Sequence, residues 1–321
     1  VNPPNGSVGQ LVTANGSGFA PGETVTLSGV TGLPTSTVAN NQGEISFNFT
    51  VGQQSGGSKT IMAVGGTPNN QTTAPFTVMG QIANISPIAG TKGTSIRVRG
   101  NGCPINSTIT LDFGSQISIA STGVAGDGTF NLTFQVPEHP RGNMVITVNN
   151  SLSSVPSQTA TFTVESAISA SVTSANVGDV ITISGSGFAA NEIVTVQIGV
   201  ETRNVTADTN GSFTVNFNIP ALPNGTIQVT AIGGDGTVPS TTTSFTVSPK
   251  IILSATSGNP NDNIIVNGTG FNSGKNVRIK VDATVPTSLA TIAVNGVGSF
   301  DPTTVNIPAT ATGTLTIRVE N

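Results

Sequence analysis

The chain has 321 residues, only 26 of them charged, and a net charge of −4. That balance offers no basic stripe for nucleic acid, no apolar run approaches the 18 residues of a membrane-crossing helix, and a single cysteine excludes an internal disulfide framework. Ser and Thr number 80, Gly 39, and Trp and Tyr are absent. Val, Ile and Thr outweigh helix formers such as Leu, Glu and Lys, so an all-β chain is expected. The opening Val1-Asn2-Pro3-Pro4 carries no Met and no signal peptide, which reads as a processed or excised product.

One stretch is written four times. Gly16-Ser17-Gly18-Phe19, Gly100-Asn101-Gly102-Cys103, Gly185-Ser186-Gly187-Phe188 and Gly268-Thr269-Gly270-Phe271 have first glycines 84, 85 and 83 residues apart. A period of that length predicts four tandem modules. Before each pair of glycines, apolar residues alternate with polar ones, as at Val12 and Ala14, Ile96 and Val98, Ile181 and Ile183, or Ile264 and Val266. After it they alternate again, as at Val25 and Leu27 or Val194 and Val196. Period-two alternation marks strands buried on one face. The glycines read as a tight hairpin connection or bulge needing positive φ, and the aromatic after them as a plug at the end of the core. A phosphate-cradling loop would need a helix next, and strand residues follow instead.

The first module spans 1–80. Ile45, Phe47, Phe49 and Val51 share its inner face, and Lys59 to Val64 and Phe76-Thr77-Val78 read as closing strands. The second spans 81–165, with a leading strand from Ile82 stopped by Pro87 and an inner strand of Phe130, Leu132, Phe134 and Val136. Cys103 stands where its sisters have Phe and reads as a buried small hydrophobe, with a thiol for intermolecular pairing as the alternative. Glu138-His139-Pro140-Arg141 holds the one histidine and reads as a solvated turn, since a lone His makes no metal site. The third module, 166–249, has inner residues Phe213, Val215, Phe217 and Ile219, then Pro220, and closes with Phe245-Thr246-Val247.

The fourth module, 250–321, departs twice. Gly298 to Pro308 takes ten steps where its sisters take nine, which implies a bulge near Asp301-Pro302-Thr303. No Phe-Thr-Val strand follows Leu315-Thr316-Ile317-Arg318-Val319. The missing phenylalanine is expected near position 333, either in a longer polypeptide or replaced by a strand from a neighbouring subunit. The first module correspondingly begins part-way through its leading strand.

The alternating strands around Gly-Ser-Gly-Phe, followed by Pro/Asn-x-Glu-x-Val-Thr-Val, resemble the IPT/TIG type of prokaryotic immunoglobulin-like module, found in surface-layer, filament and adhesin proteins. The resemblance covers all four repeats. It implies four tandem immunoglobulin-like β-sandwich domains in an elongated array, outside the cell, and it carries no catalytic residues.

The function expected from this reading is a structural subunit of an extracellular surface assembly, either a surface layer or a filament, with copies of itself as partners. Three-residue linkers from Val78 to Ile82 and from Val164 to Ile168 suggest a semi-rigid rod. The alternative is an adhesin stalk or carbohydrate-binding array, which the absence of Trp and Tyr for sugar stacking disfavours. An enzyme is not expected, because the titratable groups are few and scattered. No cofactor is expected either. Calcium at the linkers is the alternative, but Lys92, Glu165, Lys250, Asp179 and Asp262 lie isolated and form no Asp-x-Asp cluster. Lys–Asn isopeptide bonds are discounted because no lysine recurs at one position of the repeats. Asn-x-Ser/Thr sequons occur at Asn5, Asn15, Asn48, Asn70, Asn84, Asn106, Asn131, Asn149, Asn204, Asn210, Asn224 and Asn267 and are candidate glycosylation sites. An asparagine-rich surface generates some of them by chance.

Overall fold

The computed structural model describes residues 1–66, 70–152, 156–234, 241–282 and 287–320. Among these residues every regular element is a β-strand, and none is a helix. The chain divides into two compact units. The first holds Val1–Pro137 and Gly142–Val164, the second Glu138–Arg141 and Glu165–Asn321.

In the second unit, the third repeat forms two sheets. Ala167–Ala170, Val180–Ser186 and Phe213–Asn218 make one in that order; Ser174–Ala175, Thr241–Val247, Gly225–Gly233, Ile193–Ile198 and Glu201–Thr206 make the other. The alternation sets which side chains turn inward. Ile181, Ile183, Phe213 and Phe217 of one sheet and Val194, Val196, Val229, Phe245 and Val247 of the other form a single buried cluster. Each buried aliphatic or aromatic side chain stabilises by about 1.5–3 kcal/mol. This is a β-sandwich. The short Ser174–Ala175 strand runs parallel to the closing strand, with the Thr246 amide donating to Thr173 O at 2.9 Å.

The fourth repeat makes two three-stranded sheets. Lys250–Leu253, Asn263–Thr269 and Phe300–Asn306 form one, and Thr287–Ala293, Asn276–Asp282 and Thr316–Glu320 the other. The extra residue near Asp301 appears as a register shift: Val266 pairs with Thr303 but Gly268 pairs with Phe300. Among the described residues no strand lies beyond Thr316–Glu320, whereas its counterpart Gly225–Gly233 lies inside a five-stranded sheet.

The first unit repeats the plan. In its first repeat a five-stranded sheet faces the pair Leu11–Ser17 and Glu44–Thr50; in its second a five-stranded sheet faces Phe130–Gln135, Ser95–Asn101 and Gln81–Ser86. Among the described residues no sheet mixes strands of different repeats. Thr67, Pro68 and Asn69, part of the loop expected between the closing strands of the first repeat, lie outside the described residues.

One expectation is corrected. The strands flanking each Gly-x-Gly are not a hairpin. Val180–Ser186 and Ile193–Ile198 lie in different sheets, so the connection is an arch from one sheet to the other. Alternation alone identifies both strands but cannot say whether they pair. The arch is closed by Glu192, whose Oε2 accepts the Ala189 amide at 2.8 Å, as Glu23 accepts that of Ala20 at 2.8 Å in the first repeat.

Candidate functional site

The two glycines of each arch have different physical reasons. The first has no left-handed φ. It is glycine because a phenylalanine ring lies over it: a Cβ on Gly100, Gly185 or Gly268 would stand 2.0, 2.1 or 1.9 Å from Cε1 of Phe130, Phe213 or Phe300. In the first repeat Ile45 replaces that ring and the approach relaxes to 3.1 Å at Gly16. The second glycine has positive φ in all four copies, at 96°, 65°, 69° and 71° for Gly18, Gly102, Gly187 and Gly270. Phe19, Phe188 and Phe271 are buried as expected, and so is Cys103. Phe188 meets Phe213 at 5.1 Å between ring centroids and Phe271 meets Phe300 at 5.5 Å.

The second glycine also lets the incoming linker pass. A Cβ on Gly102 would lie 2.5 Å from Met79 O, on Gly187 2.3 Å from Glu165 O, and on Gly270 2.5 Å from Ser248 O. Beside it a loop docks through one backbone hydrogen bond, made three times with the same atoms. The amides of Gly56, Arg141 and Asn224 donate to the carbonyls of Cys103, Phe188 and Phe271 at 2.9, 3.3 and 3.0 Å. A further glycine with positive φ, at 128, 211 and 298, receives the same loop. Its missing Cβ would lie 2.6 Å from Gln54 O, 2.9 Å from Pro140 Cα and 2.5 Å from Pro223 Cα respectively. Gln53 adds a side-chain bond to Asp127 O at 2.8 Å.

Glu138–Arg141 is thus not the solvated turn that its polarity suggests. These residues are half-buried and belong to the second unit. Ser212 Oγ donates to Glu138 Oε1, and the Arg141 guanidinium lies 3.9 Å from Glu192. His139 Nδ1 stands 3.1 Å from Pro140 O. The charges near Lys250 are not isolated either. Lys250 Nζ reaches Asp179 Oδ1 at 3.4 Å, and Asn176 Nδ2 donates to Ser248 O at 3.0 Å. The Asn176 amide, and after it Lys250, hold the Asp179 carboxyl below its usual range. Charge spacing in sequence carried no sign of these pairs, because their partners lie 51 to 74 residues away.

Every sequon asparagine lies outside the cores. Asn5, Asn15, Asn48, Asn84, Asn106, Asn131, Asn204, Asn210 and Asn224 are exposed, while Asn70, Asn149 and Asn267 are half-buried. Asn48, between Phe47 and Phe49, points outward. At Asn15, Asn48 and Asn204 the side-chain oxygen accepts a cross-strand hydroxyl, from Ser46, Thr13 and Thr195 at 2.8, 2.8 and 2.9 Å. At Asn70, Asn149 and Asn224 the side-chain nitrogen, the atom that would bear a sugar, instead donates to Glu23, Asp112 and Val247 O at 2.9, 2.8 and 3.0 Å. Burial raises the Cys103 thiol to about 11. Among the described residues no three His, Cys, Asp or Glu side chains gather as a metal site, and no helix is long and apolar enough to cross a membrane.

Comparison with known proteins agrees with this architecture for one repeat in particular. Residues 166–247 match the family described as IPT/TIG domain. No curated protein sequence matches the chain. Among solved structures, a tetra-tandem repeat from the extending region of a large adhesion protein is similar over 97% of this chain and 91% of that one, at 15% identity and a TM-score of 0.27. The ICAM-5 D1–D4 ectodomain fragment is similar over 99% and 96%, at 12% identity and 0.26. A Salmonella alpha-2-macroglobulin is similar over 95% of this chain but 27% of its own, at 10% identity and 0.24. Likeness at that level assigns neither partner nor activity. The third repeat, residues 166–247, is thus similar to the IPT/TIG domain family, and it stands in a tandem array of β-sandwich modules.

Proposed function

We propose that the chain is a non-catalytic structural segment of an extracellular surface assembly, a surface layer or a filament, in which the repeats act as stiff building blocks. The observation that carries this reading is the thrice-made backbone bond from Gly56, Arg141 and Asn224 to the residue after Gly-x-Gly. A spacer with free hinges has no need of glycines whose missing Cβ atoms admit a neighbouring loop. Glycines kept for such close approach spend the module's surface on mechanical coupling. The weakly charged outer faces, paired by Thr–Asn and Ser–Asn hydrogen bonds such as Thr182 to Asn216 at 2.8 Å, suit close packing against copies without charge repulsion. The exposed sequons suit a glycosylated coat. Electron microscopy of the native cell surface, with an antibody against this chain, tests the reading. A labelled lattice or fibre is expected; isolated labelled stalks would contradict it.

A further inference from the structure

One outer face is not weakly charged. In the second repeat the strand Ser95–Asn101 lies between Gln81–Ser86 and Phe130–Gln135. Ile96 and Val98 turn into the core, so Arg97 and Arg99 stand side by side on the outside, both exposed. Residues two apart on a strand lie about 7 Å apart on one face. A shallow cavity of about 460 Å³ forms there, lined by Asn84, Ser86, Ser95, Arg97, Arg99 and Thr133. None of the three strands contains Asp or Glu. Among the described residues no hydrogen bond or ion pair engages either guanidinium. The sister repeats place Thr13 and Asn15, Thr182 and Ser184, or Ile265 and Asn267 at these two positions. Two of those faces are closed by cross-strand hydrogen bonds, Thr13 to Asn48 and Thr182 to Asn216, both at 2.8 Å. Arg97 instead faces Thr133, which holds the position of Asn216.

We propose that this face binds an acidic polysaccharide. Arg97 and Arg99 hold carboxylates of neighbouring uronic-acid units, and Asn84, Ser86, Ser95 and Thr133 bond its hydroxyls. Charge complementarity carries the choice of an anion, because two cations share a face that supplies no counter-ion of its own. A guanidinium is a planar fork that meets a carboxylate with two parallel hydrogen bonds. The central strand is paired on both sides, so a peptide cannot add to it as a strand. Only side chains are available, and those around the arginines are short hydroxyls and amides, the donors and acceptors that sugar hydroxyls need. No aromatic side chain lines the cavity. Neither a base nor a sugar ring can stack there, so affinity comes from charge and hydrogen bonds, which disfavours single-stranded nucleic acid. The choice of a sugar polymer rests in part on the extracellular reading above; the anion site does not. Asn84 and Asn131 face Arg99 from the two neighbouring strands, so sugar attached at either sequon would crowd the same face.

The test titrates oligogalacturonate into the full chain, produced without attached sugar, and follows binding by calorimetry and by NMR of the backbone amides. Shifts are expected at Asn84, Ser95, Arg97, Arg99 and Thr133, with affinity falling as salt rises. Arg97→Gln and Arg99→Gln should each weaken binding about tenfold, the scale of one hydrogen bond to a charged group. The double variant should abolish it. Both side chains are exposed, so the fold should persist, and circular dichroism checks that. Lys275→Gln makes the same change of net charge at an exposed residue of the fourth repeat and should have no effect. Neutral dextran should not bind. No binding by the native chain, binding that survives the double variant, or an equal loss in Lys275→Gln overturns the site. Tighter binding of polyphosphate or single-stranded DNA, with the same arginine dependence, overturns the polysaccharide as its occupant. None of these readouts depends on where the chain resides, so their failure leaves the surface-assembly reading standing.

Discussion

The Asn224 amide donates to the carbonyl of Phe271 across 3.0 Å, so a loop of the third repeat is bonded to the residue that plugs the core of the fourth. Plug and joint share one residue: its ring closes the sandwich from inside while its carbonyl receives the loop from outside. Arg141 and Phe188 make the same bond within the second unit, and Gly56 and Cys103 within the first. At Phe188 and Phe271 ring and carbonyl belong to one residue, so a core end and a docked loop meet at the same backbone position.

Phe188→Ala should therefore do more than leave a cavity. Its ring is 0% exposed, and truncation is expected to cost about 3–5 kcal/mol. Hydrogen exchange should show the loss both at Val180–Ser186 and at the Arg141 amide. Acceleration confined to the core strands would separate plug from joint.

The glycines predict a graded series. Gly187→Ala meets Glu165 O at 2.3 Å in addition to its φ of 69°, whereas Gly18→Ala, with φ 96°, has nothing within 4 Å of its new Cβ. A non-glycine residue forced into left-handed backbone costs on the order of 1–3 kcal/mol. Gly187→Ala should exceed Gly18→Ala by the added clash. Gly185→Ala, 2.1 Å from the Phe213 ring, should destabilise more than Gly16→Ala. Midpoints of the separate unfolding transitions check both orderings, since a multi-module chain has no single unfolding free energy.

Asp179 predicts a pH effect of defined sign. Its pKa is lowered in the folded state, chiefly by the Asn176 amide and then by Lys250. A depressed carboxyl contributes stability that is present above its unfolded value of about 3.9 and is lost as pH falls through the folded value. Carboxyl titration by NMR should show Asp179 below the ordinary range. In Lys250→Ala most of that depression should remain, because the larger cause is the backbone bond. A full return to the ordinary value would reverse that ranking.

Cys103 should resist alkylation in the native chain. With its thiol raised by burial from 9.0 to about 11, the thiolate fraction near pH 8 falls by about a hundredfold before restricted access of the reagent is counted. Maleimide labelling should be slow until denaturant is added. Rapid native labelling would place the thiol on the surface.

If the sequons carry sugar, occupancy should follow the role of the side-chain nitrogen. Asn48 and Asn15, whose oxygens accept hydroxyls, should be modified. Asn70 and Asn149, whose nitrogens donate to Glu23 and Asp112, should not. Peptide mass spectrometry of native material reads this site by site.

Much of the fold was legible in the sequence because burial in a sandwich is a period-two signal. The inner strands at Phe213 and Phe130, the bulge near Asp301 and the plug at Phe188 all follow from spacing. The polar edge strand Glu201–Thr206, almost wholly exposed, left no such signal, because an edge strand buries little. The two-residue strands Ala89–Gly90 and Ser174–Ala175 are too short to show any period. The joint was hidden for a different reason. It is made by backbone atoms and absent Cβ atoms, so Arg141 and Asn224 perform one task with unlike side chains. At the glycines that receive the loop the sequence does not show what lies against the missing Cβ.

Amide hydrogen exchange at Gly56 and Asn224 in the full chain tests the interlock most directly. Both are loop residues next to a strand, and an unbonded loop amide exchanges freely. The interlock predicts protection approaching that of the adjoining strands Gly57–Val64 and Gly225–Gly233, lost together with them on unfolding. Exchange of Gly56 and Asn224 at the rate of free loops, while those strands remain protected, would contradict it.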